Sequence, residues 1–472
     1  MMIGREKERT ILEAAANSPE SEFVAVYGRR RIGKTYLVRE TFNSCFAFQH
    51  SGIANSSTRI QLERFRNSLI ESGHTKCPAL RNWFQAFDEL KQIVLQARSG
   101  KKVLFIDEMP WMDKPNANFI PALENFWNAW ASARKDILLI ICGSATSWML
   151  KKVIHARGGL HNRVTVRINL MPFTLAECEK MAIGLGLVAS RYQILLYYMA
   201  LGGIPFYWNY LQRGLSVAQN MDALFFSEDA RLESEFQELY SSLFSKEAPY
   251  IQIVTALGKK RTGMTRGEIS SATKIANSGT MTAYLEELEQ CGLIRRYRLP
   301  GKSVRESIYQ LIDNYTLFYF RFIRENLDQD THFWTSSLDS RLLTTWQGLA
   351  FELVCLQHVA CIKNALQIGG VHSAVYAWQM NAPSDGNGAQ IDLVIDRNDG
   401  IVNLCEMKFA ADKYTLTAKD DKAMLCKKNT LSQELPQRKA IHIIYVTTFG
   451  LAQNSYWNNV QAEATLDDLF RV

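Results

Sequence analysis

Several features are missing from this sequence of 472 residues. No apolar run approaches the roughly 20 residues that cross a bilayer, and the N-terminus turns charged at once, unlike a secretory signal. The nine cysteines include no Cys-x-x-Cys pair, and the eight histidines show no ligand spacing. There is no internal repeat and no low-complexity segment. We therefore expect a cytoplasmic globular protein without membrane contact, a disulfide framework or a zinc site.

Positive charge is unevenly distributed along the chain. The whole sequence has 54 basic and 47 acidic residues, a formal net charge of +7. Residues 248–312 alone contain ten Lys or Arg against five acids. Such a local excess is typical of a surface that binds a polyanion, although a solvated surface can show one as well.

The apolar pattern divides the chain into mixed and helical parts. Short apolar runs at residues 23–27, 103–106 and 137–142 alternate with longer amphipathic stretches, which is typical of a parallel sheet covered on both faces. The pattern becomes helical at Thr174, which has Glu177 in the position that completes a capping box. A second helical stretch of three short helices ends in a predicted hairpin. The final part of the chain again mixes helices and strands.

A phosphate-binding loop is predicted directly after the first apolar run. The eight residues match the pattern G-x4-G-K-T, and a helix follows them: Gly28, Arg29, Arg30, Arg31, Ile32, Gly33, Lys34 and Thr35. Glycines let the backbone wrap closely, so that its N–H groups and the helix N-terminus face phosphate oxygens. Lys34 is expected to neutralise the β and γ phosphates of ATP, and Thr35 to ligate Mg²⁺. The alternative is a Gly-rich turn without a ligand.

The acidic half of such a site is predicted at the end of a strand that neighbours the one entering the loop. Asp107 and Glu108 follow residues 103–106, and Asp107 is expected to hold the magnesium shell. Glu108 is expected to orient or deprotonate the attacking water. Ser144, after the next strand, is either a polar sensor of the γ-phosphate or a simple turn serine.

Four motifs together resemble the archaeal-type ATPase family, a branch of the AAA+/STAND P-loop ATPases. They are Ile3-Gly4-Arg5-Glu6, the run from Val26 to Thr35, Phe105-Ile106-Asp107-Glu108 and Ile141-Cys142-Gly143-Ser144. Two later segments are also similar to that family, Gly202-Gly203-Ile204-Pro205 and Leu466-Asp467-Asp468-Leu469-Phe470. The resemblance therefore spans nearly the whole chain.

The resemblance implies an ATP-binding core, a helical lid and an accessory C-terminal region. It implies that Ile3, Gly4 and Arg5 line the adenine pocket. Arg163 is interpreted either as an arginine that contacts the γ-phosphate or as part of a structural salt bridge. The lid departs from many AAA+ proteins because Gly202-Gly203-Ile204-Pro205 replaces the Gly-Ala-Arg sensor. This departure argues against the chemistry that AAA+ proteins perform between the subunits of a ring.

The basic segment has the order of a winged helix, and the resemblance indicates the same. Its third helix would enter a major groove, yet Glu286, Glu287 and Glu289 on that helix would be repelled by phosphates. The wing is better suited to phosphate contact, through five basic residues: Arg295, Arg296, Arg298, Lys302 and Arg305. The alternative is a winged helix that contacts only protein.

A pair of carboxylates is predicted on a hairpin near the C-terminus. A three-residue loop at Asn398-Asp399-Gly400 would make the numbers of paired residues sum to 798, so that Asp392 faces Glu406. Opposed carboxylates repel each other unless a divalent cation lies between them. Lys408 would then orient a water molecule or stabilise charge.

This constellation resembles the PD-(D/E)xK restriction-endonuclease-like superfamily. Glu352, on the preceding helix, resembles the extra acid that those enzymes often carry there. The proline of the motif is absent, since Ile391 precedes Asp392. The alternative is an inactive relative in which Glu406 and Lys408 form a surface ion pair of almost no energetic value.

We therefore predict an α/β multidomain protein with a P-loop parallel-sheet core. The predicted domains are an ATPase core at 1–170, a helical lid at 171–245, a winged helix at 246–313, a helical connector at 314–342 and a PD-(D/E)xK-like α/β domain at 343–472. The predicted function is an ATPase coupled to DNA binding and a metal-dependent nuclease-like domain. The alternative is a STAND-like switch that uses an inactive nuclease-like domain to bind partners. A protein partner or a homo-oligomer is compatible with either.

Overall fold

The structure is a computed structural model in which the chain forms two compact units. It describes residues 2–97, 100–144, 146–154, 160, 162–244, 246–298, 306–326, 330–380 and 389–471. The first unit comprises the chain up to Pro172 together with Gln237–Tyr250 and Glu286–Gly292. The second unit comprises Phe173–Phe236, Ile251–Leu285 and Leu293–Val472.

The first unit is built on a five-stranded parallel sheet. Its strands are β1 (Glu22–Tyr27), β2 (Phe48–Ser51), β3 (Lys102–Asp107), β4 (Ile137–Gly143) and β5 (Val166–Asn169). Its helices are α1 (Glu6–Asn17), α2 (Lys34–Thr41), α3 (Thr58–Glu71), α4 (Trp83–Gln96), α5 (Phe119–Ala129) and the short α6 (Thr146–Met149). Single turns follow at Met109–Trp111, Ala131–Ala133 and Leu150–Ile154.

The strand order is β2-β3-β4-β1-β5, and every pairing is parallel. This confirms the parallel sheet that the three apolar runs predict. All residues of β3 and β4 are buried, as expected where helices cover both faces of a sheet. One expectation was wrong: β3 is not the neighbour of β1, because β4 lies between them.

The second unit begins with a group of helices. They are α7 (Leu175–Gly184), α8 (Arg191–Leu201), α9 (Pro205–Trp208) and α10 (Val217–Phe225). The predicted capping box is confirmed, since the Thr174 side chain accepts from the Glu177 N–H and the Glu177 carboxylate accepts from the Thr174 N–H at 2.8 Å. Helix α11 (Glu235–Leu243) follows.

The basic segment contains three helices and a small antiparallel sheet. The helices are α12 (Ala248–Lys259), α13 (Arg266–Thr273) and α14 (Gly279–Gln290), and the strands are β6 (Met264–Thr265), β7 (Ile294–Tyr297) and β8 (Ile308–Leu311). The strand order is β6-β8-β7. The predicted capping box of Thr265 and Glu268 is confirmed. Residues 299–305, which include the predicted wing residues Lys302 and Arg305, lie outside the described residues.

An aromatic connector leads to the last sheet. It comprises α15 (Asn314–Phe318), a wide turn at Tyr319–Ile323 and the short α16 (Phe333–Ser336), which pack Phe318, Phe322 and Trp334 against Trp346. Helices α17 (Arg341–Gln357) and α18 (Val359–Ala365) come next. The remaining elements are β9 (Ser373–Met380), β10 (Ala389–Arg397), β11 (Ile401–Lys408), α19 (Ala418–Glu434), β12 (Ala440–Thr447), a turn at Ser455–Asn459, β13 (Ala462–Thr465) and α20 (Leu466–Leu469).

The last sheet has the order β13-β12-β11-β10-β9. Strands β10 and β11 pair antiparallel with Leu393 opposite Cys405 and Asp396 opposite Val402. These pairs confirm the predicted register. Gly400 has φ 88°, the left-handed conformation that the predicted three-residue loop requires.

The side chains of β10 do not alternate regularly between two faces along the strand. The pairing of β10 with β9 shifts between Ile391 and Val394, which is the mark of a β-bulge. Ile391 therefore joins the same buried cluster as Val394 rather than sharing a face with Leu393 and Ile395. Such a bulge re-aims the side chains beside it, and Asp392 is one of them.

The C-terminal Leu466–Phe470 motif has a structural role within the second unit. The Arg191 guanidinium lies 2.8 Å from the Glu179 carboxylate and 3.0 Å from the Asp467 carboxylate. It also stacks over the Phe470 ring at 4.9 Å. Through Arg191, the motif therefore packs against α7 and α8.

No helix in the described part of the chain combines the length and apolarity needed to cross a membrane.

Gly203 offers a direct test of how tightly the second unit is packed. A Cβ atom at this position would lie 1.8 Å from the backbone carbonyl oxygen of Phe173. We predict that Gly203→Ala lowers the free energy of unfolding by about 3 kcal/mol, the upper end for overpacking. Chemical denaturation measures this change.

Gly348→Ala is the matched control. This glycine lies inside α17, and a Cβ there would meet no atom within 4 Å. The control should raise stability by about 0.5–1 kcal/mol through helix propensity. Equal unfolding midpoints for the two variants would contradict the close approach at Gly203.

Candidate active site

The phosphate loop joins β1 to α2 in the conformation that its glycines permit. Gly28 has φ 141° and Gly33 has φ 89°, both in the region that disfavours other residues. A Cβ on Gly28 would lie 2.4 Å from the Leu170 carbonyl oxygen, so the loop passes directly against the end of β5. The N-terminus of α2 then presents its free N–H groups and its positive dipole end at the loop, as an anionic phosphate requires.

Lys34 is buried at the start of α2 and is held by the loop itself. Its Nζ donates to the carbonyl oxygens of Gly28 at 3.0 Å and Arg29 at 2.9 Å. Burial lowers the pKa of Lys34, and the nearby Glu108 carboxylate partly offsets that shift. A phosphate would supply the opposite charge that this buried ammonium lacks in direct contact.

Thr35 and Asp107 meet at the position predicted for magnesium. The Thr35 hydroxyl donates to Asp107 Oδ2 at 2.7 Å. Burial raises the pKa of Asp107, whereas the hydrogen bond from Thr35 lowers it. One hydroxyl and one carboxylate are hard oxygen donors, and they fit Mg²⁺, which keeps most of its waters and takes few protein ligands.

Glu108 and Ser144 are brought together at the same edge of the sheet. The Ser144 hydroxyl donates to Glu108 Oε1 at 2.6 Å, and Glu108 has a left-handed φ of 45°. Parallel strands end at one edge, so β3 and β4 deliver these residues beside the phosphate loop. Ser144 thus contacts the predicted catalytic acid, whereas the sequence assigned it either to the γ-phosphate or to a turn.

Arg5 braces the phosphate loop from behind. Its guanidinium donates to the carbonyl oxygen of Ile32 at 3.3 Å and to that of Met171 at 2.7 Å. Arg5 and Gly4 are buried with left-handed φ values of 66° and 64°, and Ile3 is half-buried. The structure therefore gives Arg5 a positioning contact in addition to the adenine-pocket role that the resemblance implies for these three residues.

The other loop arginines point elsewhere. Arg31 Nη2 lies 2.7 Å from the Glu238 carboxylate, and Arg30 donates to the Glu238 carbonyl oxygen at 3.2 Å. Glu238 belongs to the first unit through the segment Gln237–Tyr250. The sequence did not indicate this contact, because the partners are 207 positions apart. Arg29 is buried, while Arg163 is exposed.

Known proteins share parts of this sequence. Residues 2–210 match the model of a family described as an ATPase domain predominantly from Archaea. That range contains the phosphate loop, Asp107, Glu108 and Ser144. This part of the chain is similar to that family of ATPase domains. Uncharacterized protein MJECL04 of Methanocaldococcus jannaschii is 27% identical over 337 residues, which cover 69% of this chain and 70% of that protein.

Solved structures of similar shape include the Walker-type ATPase PABY2304 of Pyrococcus abyssi, with 16% identity, a TM-score of 0.49 and coverage of 68% of this chain and 96% of that one. The ORC2 protein of Aeropyrum pernix has 14% identity, a TM-score of 0.43 and coverage of 68% and 92%. A STAND protein of Pyrococcus horikoshii with a tetratricopeptide repeat sensor, PH0952, has 16% identity, a TM-score of 0.33 and coverage of 78% and 50%.

The acids predicted near the C-terminus form a second cluster, in the second unit. Both carboxylate oxygens of Glu406 are engaged, by Lys408 at 3.0 Å and by Lys427 at 2.7 Å. Lys427 comes from α19 and was missed by the sequence analysis, which considered only the hairpin. Asp392 accepts a hydrogen bond from Gln390 at 2.7 Å.

Glu352 on α17 interacts electrostatically with the charged residues of this cluster. Burial, together with the Asp392 and Glu406 carboxylates, raises the pKa of Glu352 to about 7, although Arg261 and Lys408 oppose the shift. The four residues that the sequence selected here, Asp392, Glu406, Lys408 and Glu352, therefore share one electrostatic environment.

The carboxylates of this second cluster lie too far apart to form a compact set of metal ligands. Among the residues that the structure describes, three potential ligand atoms lie within 4.8 Å of one another only at His74, Cys77 and Glu89. Glu352, Asp392 and Glu406 supply oxygen donors suited to a divalent cation, but their spacing is wider than that. The sequence analysis had found no ligand spacing among the histidines, and His74 shows that such a group can form across a loop and a helix.

Arg5 gives a test of the brace behind the phosphate loop. We predict that Arg5→Met weakens ATP binding about tenfold, because losing charge-assisted hydrogen bonds of about 1.5–3 kcal/mol lets the loop relax. Fluorescence titration with an ATP analogue measures this affinity.

Arg9→Met is the control, since Arg9 pairs on the surface with Glu13 at 2.7 Å. This variant should bind the analogue like the wild type. If Arg5→Met also binds normally, then Arg5 does not position the loop.

Proposed function

We propose that the protein hydrolyses ATP and that its nucleotide state controls a DNA-binding, nuclease-like C-terminal half. The observation that supports ATP hydrolysis best is the convergence of Lys34, the Thr35–Asp107 hydrogen bond and the Glu108–Ser144 hydrogen bond beside one phosphate loop. These are the parts that phosphoryl transfer needs: a cradle, a cation site and a group that positions water.

Each residue has a distinct task in this proposal. The loop N–H groups and Lys34 bind the β and γ phosphates, after Lys34 leaves the carbonyl oxygens of Gly28 and Arg29. Thr35 and Asp107 hold Mg²⁺, which neutralises charge on the phosphates. Glu108 accepts a proton from the attacking water or orients it, and Ser144 holds Glu108 until the substrate is bound.

The DNA-binding part of the proposal concerns the basic segment. Three helices and a three-stranded antiparallel sheet, with β6 between the first two helices, support its interpretation as a winged helix. Arg296 on β7 and Arg298 directly after β7 are exposed, so a phosphate backbone could reach them. Glu286 and Glu289 on α14 restrict any groove contact to the first half of that helix.

Two variants separate ATP binding from hydrolysis. Lys34→Ala should abolish binding, because the variant lacks the buried ammonium that would neutralise the phosphates. Glu108→Gln should still bind ATP but turn it over about 10²–10⁴-fold more slowly, the range for loss of a general base. Phosphate release and filter binding give the two readouts.

Lys7→Ala is a matched surface control, because Lys7 is exposed. It should leave both readouts unchanged. Hydrolysis that persists at the wild-type rate in both site variants would refute the assignment of this site.

A second candidate function follows from one specific observation. Glu406 is neutralised on both oxygens by Lys408 and Lys427, an arrangement that competes with a bound cation. This favours a STAND-like switch in which the C-terminal domain binds partners without cutting DNA. The two candidates share the ATPase and differ only in the chemistry of the second unit.

Plasmid cleavage distinguishes the two candidates. With Mg²⁺ or Mn²⁺, the nuclease proposal predicts nicked or linear DNA from the wild type and a loss of at least tenfold for Asp392→Ala and for Lys408→Ala, because both residues act at the scissile phosphate. Lys419→Ala, an exposed lysine on α19, should cleave like the wild type. Equal, background-level products from all four proteins would leave the switch as the function.

A further inference from the structure

A cavity of about 260 Å³ lies within the second unit, between the basic segment and the acidic cluster. The basic segment contributes Arg261, after α12, and Arg295 on β7. The other wall contains Glu352 and Asp392. From the sequence these two groups were predicted to form separate sites, one that contacts DNA and one that binds a metal ion.

The two arginines are turned into this cavity. Arg295 Nε donates to Gln310 Oε1 at 2.7 Å, and its guanidinium stacks over the Tyr297 ring at 5.2 Å. Arg261 Nη1 is buried and has no hydrogen-bond partner among the described residues. Both side chains are half-buried, and this burial lowers the pKa of both guanidinium groups. A buried guanidinium without a full set of acceptors is costly unless a ligand supplies them.

The nearby acids do not supply these acceptors. Asp392 interacts electrostatically with both arginines and Glu352 with Arg261. Yet within the described part of the chain neither arginine has an acidic oxygen within the 4.0 Å of an ion pair. The two arginines and the two acids therefore lie on opposite walls of the cavity and form no ion pairs with each other.

The cavity offers ligands for an anion on one of its walls. Its lining places two arginines, Arg261 and Arg295, opposite two acids, Glu352 and Asp392, so the described lining has no net charge when both acids are ionised. Guanidinium groups match the oxygens of a phosphate in shape and charge.

We propose that this cavity binds one phosphodiester group of a single DNA strand, with Arg261 and Arg295 as its ligands. The volume is below the roughly 300–1,000 Å³ of pockets that hold whole small ligands, so a phosphate with its sugar fits and a duplex does not. This inference rests on the proposed DNA-contacting function of the second unit. It joins the basic segment and the acidic cluster into one site, in which the bound phosphodiester lies beside Asp392 and Glu352.

The test compares the cavity arginines with Arg341, which is exposed at the start of α17. The probe is a fluorescein-labelled twelve-nucleotide oligothymidine, measured by anisotropy in EDTA so that no cleavage occurs. Arg295→Gln and Arg261→Gln should each weaken binding by about tenfold or more, as expected for a charge-assisted phosphate contact. Each should also reduce the slope of log K against log salt by about 0.7, the value for one phosphate of a single strand.

Arg341→Gln is the control and should change the affinity by less than threefold. Arg295→Lys, which keeps the charge and loses the planar guanidinium, should bind between Arg295→Gln and the wild type, a result that misfolding would not produce. Equal losses for Arg295→Gln and Arg341→Gln would overturn the proposal. Wild-type affinity in the Arg261→Gln, Arg295→Gln double variant would also overturn it.

Inorganic phosphate distinguishes the two sources of this ligand chemistry. The proposal predicts that the oligonucleotide binds much more tightly than phosphate, and that phosphate displaces it only at high concentration. If the wild type binds phosphate as tightly as the oligonucleotide, the cavity is a free-phosphate site and the strand is excluded. Because the assay contains neither ATP nor a divalent metal, an inactive ATPase or nuclease leaves its result unaffected.

Discussion

The contact between the phosphate loop and the end of β5 constrains the first unit more than any other feature. Gly28 passes so close to Leu170 that a Cβ would lie 2.4 Å from the Leu170 carbonyl oxygen. Arg5 reinforces this position by bonding Ile32 and Met171 at once. With the loop fixed, α2 begins where its N–H groups face a phosphate, and Thr35 reaches Asp107. The geometry of the candidate site therefore depends on how the backbone packs around the loop.

The same dependence on local backbone explains what the sequence could predict. The loop, the capping box at Thr174 and the hairpin at Gly400 were predictable, because each is encoded within a few residues. The β10–β11 register followed from the turn for the same reason. The short strands Phe48–Ser51 and Val166–Asn169 escaped notice, because neither carries a continuous apolar run. The bulge at Asp392 escaped notice too, because pairing with β9 creates it.

Contacts between distant segments were beyond the sequence analysis for a different reason. Lys427 reaches Glu406 from α19, and Glu238 reaches Arg31 across 207 positions. Neither pair has a local pattern, and each forms only after the surrounding elements have packed. Arg295 shows the same limit: composition marked it as a wing cation, whereas packing turns it toward Asp392. The proposed DNA contact and the acidic cluster therefore share one cavity.

Isothermal titration calorimetry of ATP with Mg²⁺ tests the central claim most directly, because it reports binding without requiring hydrolysis, DNA or a partner. The account predicts saturable heat with a dissociation constant below about 1 mM, or more than about 4 kcal/mol of binding free energy, for the wild type. It predicts no saturable heat for Lys34→Ala. Absence of heat from the wild type at millimolar ATP, or identical isotherms for both proteins, would contradict it.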